Sequence, residues 1–359
     1  MSIYDENPDP TAYLRELLDP AERDRVDKIE QVKTAYITSD RDDDLARLLK
    51  RLTTNAVIRR DPTKPHGAGN RVEGKGICIV APSGAGKSTL LEETFRSHPA
   101  FPNFRVPDKW CPLVGITAPS PATLGQVGVR LLEVLGFPLD RDLRENQVWF
   151  RVRAQLKLNN ILFLWIDDLN NVLTMSSLEE AQKVRDTLKD LMNNPDWPVQ
   201  LIVSGIPDLL PFFRADKQLR RRFRYLLLGK LAPADHAAFL QSSIEHYCEL
   251  AKIKLAVKPE EDLVGRLLHA GALEMGVCLE IAVDAVVEAL ERNSRELKKI
   301  DFANTFADRH TLSDEQNPFL APGWQIIDTT RLYAKDEEKI DDTVTPLATK
   351  RTKKKGRGR

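Results

Sequence analysis

Apolar positions along this chain follow two rhythms that change over once. Between residues 76 and 229, short continuous apolar runs alternate with stretches whose apolar side chains recur every three or four residues. The runs predict strands at 76–81, 112–117, 161–166, 199–205 and 224–229, and the intervening periodicity predicts helices at 87–97, 121–135, 144–158 and 177–193. Strands that alternate with helices imply a parallel sheet covered on both faces, an α/β class. After Pro233 only the helical period remains, over 234–251, 259–270, 276–292 and 300–309, which predicts an all-helical lid. Upstream, residues 1–38 are polar and rich in Asp and Arg, with no element expected. A helix follows acidic Asp42-Asp43-Asp44 and carries Leu45, Leu48, Leu49 and Leu52 on one face. Pro62, Pro65, Gly67, Gly69 and Gly74 make 61–75 a flexible approach to the first strand. From about 311 regular structure fades, with Trp324 and Ile326-Ile327 as candidates for docking on the body. The expected division is a polar segment 1–38, an α/β domain 39–232, a helical lid 233–310 and a C-terminal extension 311–359.

The first strand empties into Ala81-Pro-Ser-Gly-Ala-Gly-Lys-Ser-Thr89, a Gly-rich turn that opens a helix. Strand before and helix after are the context a phosphate-binding loop requires. Gly84 and Gly86 allow the backbone N–H groups to point inward around a polyphosphate, and the new helix adds its positive end. Residues Pro82, Ser83, Gly84, Ala85, Gly86, Lys87, Ser88 and Thr89 are therefore the candidate cradle for ATP. Lys87 would reach the β and γ phosphates, and the Ser88 hydroxyl would join a Mg²⁺ shell. Ala81 stands where such loops usually open with Gly, a change a small residue should tolerate.

Ile161-Leu-Phe-Leu-Trp-Ile166 reads as a strand buried on both faces, and it ends in Asp167-Asp168. Carboxylates at that end lie where open α/β sheets bind ligands. Asp167 fits a Mg²⁺-holding role, directly or through water, and Asp168 the role of orienting an attacking water, one methylene shorter than a Glu. Ser204, ending the next strand, is the candidate to hold that water. Gln218-Leu-Arg-Arg-Arg-Phe-Arg224 packs four arginines into five residues. Such a run is either a solvated basic face or an arginine presented to a neighbour's γ-phosphate, with Arg222 the first candidate and Arg221 the second.

Composition narrows the class. The 359 residues are 42% hydrophobic and 30% charged, and no apolar stretch approaches the roughly 20 residues a membrane span needs. The N-terminus lacks a signal-peptide pattern. Cys78, Cys111, Cys248 and Cys278 form no CxxC pair and read as reduced thiols in a cytoplasmic protein. No metal spacing is found among the histidines, and His236 and His246 read as helix-surface residues. Zero net charge hides an asymmetry: Lys350–Arg359 holds seven of the 53 basic residues and no acid, leaving 46 basic against 53 acidic elsewhere. That tail is either a solubilising end or a binder of nucleic acid or an acidic partner.

These segments together resemble the TniB/TnsC group of AAA+ transposition ATPases. The resemblance is carried by APSGAGKST, by Ile116-Thr-Ala-Pro-Ser-Pro-Ala-Thr123 leading to Leu131-Leu-Glu-Val-Leu-Gly-Phe-Pro138, and by Ile166-Asp-Asp-Leu-Asn-Asn-Val-Leu173. Ser204-Gly-Ile-Pro207, Leu219-Arg-Arg-Arg-Phe223 and Asn317-Pro-Phe319 complete it, over roughly residues 30–320. The departures are Asp168 for the usual Glu, Asn170 where His is frequent, Ile206 where Thr is common, and Gly271-Ala-Leu-Glu-Met-Gly276 with no sensor-2 arginine. The resemblance implies a P-loop AAA+ fold with a five-stranded parallel sheet and a bacterial regulator of DNA transposition. Such a protein would bind ATP and Mg²⁺, assemble with itself as a ring or filament on duplex DNA, link a TniQ-type target-selection protein to the transposase, and disassemble on hydrolysis. It also implies that Pro119–Thr123 and nearby Lys109, placed after the second strand, face the DNA backbone, with Lys109 and Thr123 as contacts. An AAA+ protein switch or helicase loader acting on a protein without DNA is the alternative.

Overall fold

The computed structural model describes residues 9–120, 123–173 and 177–333. Three helices come first, α1 (Pro10–Glu16), α2 (Pro20–Thr34) and α3 (Asp40–Val57). An alternating series follows: β1 (Gly76–Val80), α4 (Lys87–Ser97), β2 (Leu113–Thr117), α5 (Leu124–Val134), α6 (Glu145–Leu158), β3 (Phe163–Asp167), α7 (Asn170–Leu173), α8 (Leu178–Asn193), β4 (Gln200–Gly205), α9 (Leu209–Arg214), α10 (Lys217–Arg222) and β5 (Phe223–Leu227). The C-terminal part comprises α11 (Pro233–Ala251), β6 (Lys254–Leu255), α12 (Leu263–Ala270), α13 (Met275–Glu291), β7 (Glu296–Leu297) and α14 (Lys299–His310).

Five strands pair in parallel in the order β2-β3-β4-β1-β5. Their apolar runs are continuous because both faces are covered, and the strand period of two divides each run between two cores. Cys78, Val80, Leu164, Ile166, Leu201 and Val203 face one core with Leu131, Val152 and Leu188 of α5, α6 and α8. Ile77, Ile79, Phe163, Trp165 and Ile202 face the other with Leu45, Leu49 and Leu52 of α3 and Leu91 and Phe95 of α4. A third core joins α11, α12, α13 and α14, and Phe319 from beyond α14 is fully buried in it.

Two expectations are corrected. Residues 10–16 and 20–34 are helical, not an element-free polar segment. An Asp19–Glu22 capping box with Pro20 in the first turn starts α2, and Val32 of that helix is buried among α11, α13 and their neighbours. The C-terminal region is not wholly helical, since β6 and β7 form a two-stranded parallel pair. After residue 311 regular structure fades to short 3₁₀ turns, and Trp324 and Ile327 dock on the body as expected: on α12, His269 contacts the Ile327 carbonyl at 2.8 Å and the Trp324 ring at 5.2 Å. Ile326 stays exposed. The basic tail at 350–359 lies outside the described residues.

Candidate functional site

The C-terminal ends of β1, β3 and β4 meet at one place. The loop leaving β1 passes through Gly84 at φ 78° and Gly86 at φ 85°, left-handed conformations that carry the backbone around to the first turn of α4. Ala85 is buried, Ser83 is exposed, and Thr89 is exposed at the rim of the cavity described below. Lys87 is buried, and its ammonium donates to the carbonyls of Ala81 at 3.0 Å and Pro82 at 2.9 Å. Burial holds its pKa below that of an ordinary lysine, opposed by Asp168, Asp167 and Glu274 nearby.

Ser88 and Asp167, 79 residues apart in the chain, are brought together: the Ser88 hydroxyl donates to Asp167 Oδ2 at 2.6 Å. Hard oxygen donors suit Mg²⁺, which keeps water and phosphate oxygens for most of its shell and takes one or two from protein. No cluster of three or more His, Cys, Asp or Glu side chains that could cage a metal occurs among the described residues. Asp167 Oδ1 accepts from Ser204 Oγ at 2.5 Å and from the Asp168 amide at 3.1 Å. Ser204 is thus fully buried and turned onto Asp167. Asp168 has φ 49°, a left-handed turn that costs a non-glycine residue about 1 kcal/mol and ends the strand sharply. Burial raises its carboxyl pKa, Asp167 adds to that, and Lys87 opposes it.

Several neighbours left no sequence signal. The start of α13 rests on the phosphate-binding loop: the Val277 amide donates to the Gly84 carbonyl at 3.1 Å. A Cβ on Gly276 would lie 2.3 Å from that carbonyl oxygen, so only glycine permits the approach. Glu274, just before α13, is 5% exposed and has Oε2 without a partner. Arg41 of α3 donates to the carbonyls of Ala85 at 2.9 Å and Gly229 at 2.6 Å, placing a cation beside the loop from far upstream. Tyr36, Ile37, Arg41, Gly86, Tyr247 and Met275 line an adjoining cavity of about 440 Å³. Asn170 Oδ1 accepts from the Ile206 amide at 3.2 Å, tying the ends of β3 and β4.

The arginines lie elsewhere. Phe223 pairs with Gly76 at the start of β1, whereas the loop leaves β1 after Val80, so Arg220, Arg221 and Arg222 stand at the opposite end of the sheet. Arg222 is ion-paired with Glu73 at 2.6 Å, while Arg221 is exposed. A third correction concerns Lys109, which precedes β2, while Thr123 follows it. The five residues of β2 stand between the two in the chain, so they do not belong to one loop. Thr123 is the N-cap of α5, its hydroxyl accepting from the Gln126 amide at 3.2 Å. Lys109 is exposed. Cys78, Cys248 and Cys278 are buried free thiols and Cys111 is half-buried. No helix among the described residues is long and apolar enough to cross a membrane.

Among solved structures, the chain is similar to Orc1 of Aeropyrum pernix in complex with DNA, at 15% identity and TM-score 0.55 over 80% of this chain and 70% of that one. It is also similar to Cdc6p of Pyrobaculum aerophilum, at 12% identity and TM-score 0.53 over 80% and 72%. Orc2 of Aeropyrum pernix, solved in ADPNP-ADP complexes, aligns at 14% identity and TM-score 0.51 over 80% and 75%. At identities this low the likeness shows the fold alone. No curated protein matches the chain. Residues 66–232, from the approach to β1 to just past β5, match the model of the bacterial TniB protein family.

Proposed function

We propose that this protein is an ATPase that binds ATP with Mg²⁺ at the loop 82–89 and works as a regulator of DNA transposition. The observation that carries the nucleotide reading is the convergence of Lys87, Ser88 and Asp167 at one strand edge. Lys87 would exchange its carbonyl partners for the β and γ oxygens of the triphosphate. Ser88 and Asp167 would hold the metal, which neutralises charge between those phosphates. Asp168, facing the site with a raised pKa, would orient the attacking water; Ser204 would act through Asp167. The cavity beside Gly86, lined by Tyr36, Ile37 and Tyr247, is sized and apolar enough to receive the base.

The wider reading rests on the TniB-type match. In it the protein self-assembles on duplex DNA through phosphate contacts of little sequence preference, and links a TniQ-type target-selection protein to a transposase. Arg221, exposed and remote from the loop of its own chain, would serve a neighbour's γ-phosphate; Arg222 is already held by Glu73. The test is sedimentation with duplex DNA and a non-hydrolysable ATP analogue across a salt series. DNA-bound assemblies whose affinity falls steeply with salt are expected, because phosphate contacts release counterions. Absence of DNA binding with nucleotide bound would overturn the DNA part and favour the protein-switch alternative. The separation of Lys109 from Thr123 is the observation on that side.

A further inference from the structure

Trp165 lies two residues before Asp167 on β3, so both side chains leave the same face of the sheet. Its indole Nε1–H donates to Ser204 Oγ at 3.0 Å, and Ser204 Oγ donates to Asp167 Oδ1 at 2.5 Å. Trp165 is 1% exposed, Ser204 0% and Asp167 3%, so no bulk water competes for these groups. A serine hydroxyl has one hydrogen to give. With the indole N–H occupying an acceptor position, that hydrogen is committed to Asp167.

The ring itself is fixed from several sides. Phe95 packs edge-on at 5.3 Å, Phe104 lies at 6.5 Å, and the Arg105 guanidinium sits 5.8 Å from the ring centroid. On the neighbouring strand, Gly115 pairs in register with Trp165, and a Cβ there would stand 2.6 Å from the indole. The edge strand therefore gives up a side chain at the one position that would push the ring away.

We propose that Trp165 is a positioning residue for the metal-binding carboxylate. By committing the Ser204 hydroxyl to Oδ1, it leaves Asp167 Oδ2 as the oxygen presented with Ser88 to Mg²⁺. The proposal rests on the nucleotide reading of the site and deepens it, since it names what holds the carboxylate at its working angle. Outer partners of metal ligands commonly change metal affinity by 10- to 100-fold when removed.

The test titrates full-length protein with ADP over a series of Mg²⁺ concentrations, a readout independent of hydrolysis. Trp165→Phe keeps a ring but loses the N–H. It should raise the Mg²⁺ needed for half-maximal tightening on the order of 10-fold while leaving metal-free ADP affinity unchanged. Ser204→Ala should do the same, Ser204→Thr should restore the wild-type value, and Trp165→Phe added to Ser204→Ala should change nothing further. A packing role for Trp165 would instead multiply the two effects. Gly115→Ala, which displaces the ring without touching the N–H, should reproduce Trp165→Phe. If Trp165→Phe does not fold, the indole resonance of Trp165 in Ser204→Ala protein takes its place, with faster N–H exchange expected. Unchanged Mg²⁺ dependence in Trp165→Phe, multiplied effects in the double variant, or an unmoved indole resonance would each overturn the relay. Wild-type protein that fails to bind ADP at any Mg²⁺ would overturn the nucleotide reading and the relay with it.

Discussion

At the C-terminal ends of β1, β3 and β4, Lys87, Ser88, Asp167 and Ser204 are bonded to groups of the same chain. At the N-terminal ends of β1 and β5, Arg51, Lys75, Arg221 and Arg224 line a cleft of about 360 Å³ and make no side-chain ion pair or hydrogen bond among the described residues. Arg222 in that cleft is ion-paired with Glu73. The first end is a closed polar net that keeps its geometry by itself, and its charges are compensated by neighbours. The second is an open set of cations, stable because water reaches it, and ready for an anion brought by another molecule. A site shared between subunits needs both kinds of surface: one that holds a nucleotide and one that completes it from outside.

The largest effect is expected at Arg221. Arg221→Ala should leave nucleotide binding by the monomer unchanged and lower turnover of assembled protein on the order of 10³-fold. Mixing Arg221→Ala with Lys87→Ala subunits should restore part of the turnover, measured as phosphate release. No recovery in confirmed mixed assemblies would return this arginine to a plain basic surface. At the closed end, Asp168→Ala should keep binding intact and cut turnover roughly 100-fold or more. Because burial raises the Asp168 pKa, wild-type turnover should also decline on acidification at a higher pH than an ordinary carboxylate would impose. An acid limb at the ordinary carboxylate value would mean that another group positions the water.

A smaller effect is expected where α13 meets the loop. Gly276→Ala should weaken nucleotide binding by about 2 kcal/mol, since its Cβ would lie 2.3 Å from the Gly84 carbonyl and the lid must move away. Unchanged affinity by titration would show that this contact opens when nucleotide enters. Smallest is a stability effect at Glu274. Burial raises its folded pKa, so the folded state takes up a proton at higher pH than the unfolded chain does. Stability is therefore lost as pH climbs from the ordinary 4.5 through the raised value, and the cost is complete above it. Glu274→Gln should melt higher than wild type near neutrality, by about 1 kcal/mol of stability for the orphaned oxygen, with the gap closing below pH 4.5. A gap that persists in acid would point to packing, not charge.

The sheet and its strand-end carboxylates were legible because their signals are local. A two-faced apolar run ending in Asp167 or opening into Gly84-Ala-Gly86 carries its meaning in adjacent residues. Helix α2 was missed because its exposed faces are polar and only Val32 is fully buried, although Asp19-Pro20 and Glu22 spelled its start. What remained hidden was assembled across the chain. Arg41 reaches Ala85, Gly276 touches Gly84, and Trp165 bonds Ser204, and no periodicity in one segment announces such contacts. Arg222 shows the converse: a conspicuous arginine run did not reveal that one member was already neutralised by Glu73.

The loop 82–89 is expected to hold a triphosphate through Lys87. Calorimetric titration of ATP with Mg²⁺ into wild-type and Lys87→Ala protein tests it directly, with thermal melts showing both to be folded. Saturable one-to-one binding to wild type and none to Lys87→Ala is the expected result. Equal affinity in the two proteins would contradict the account.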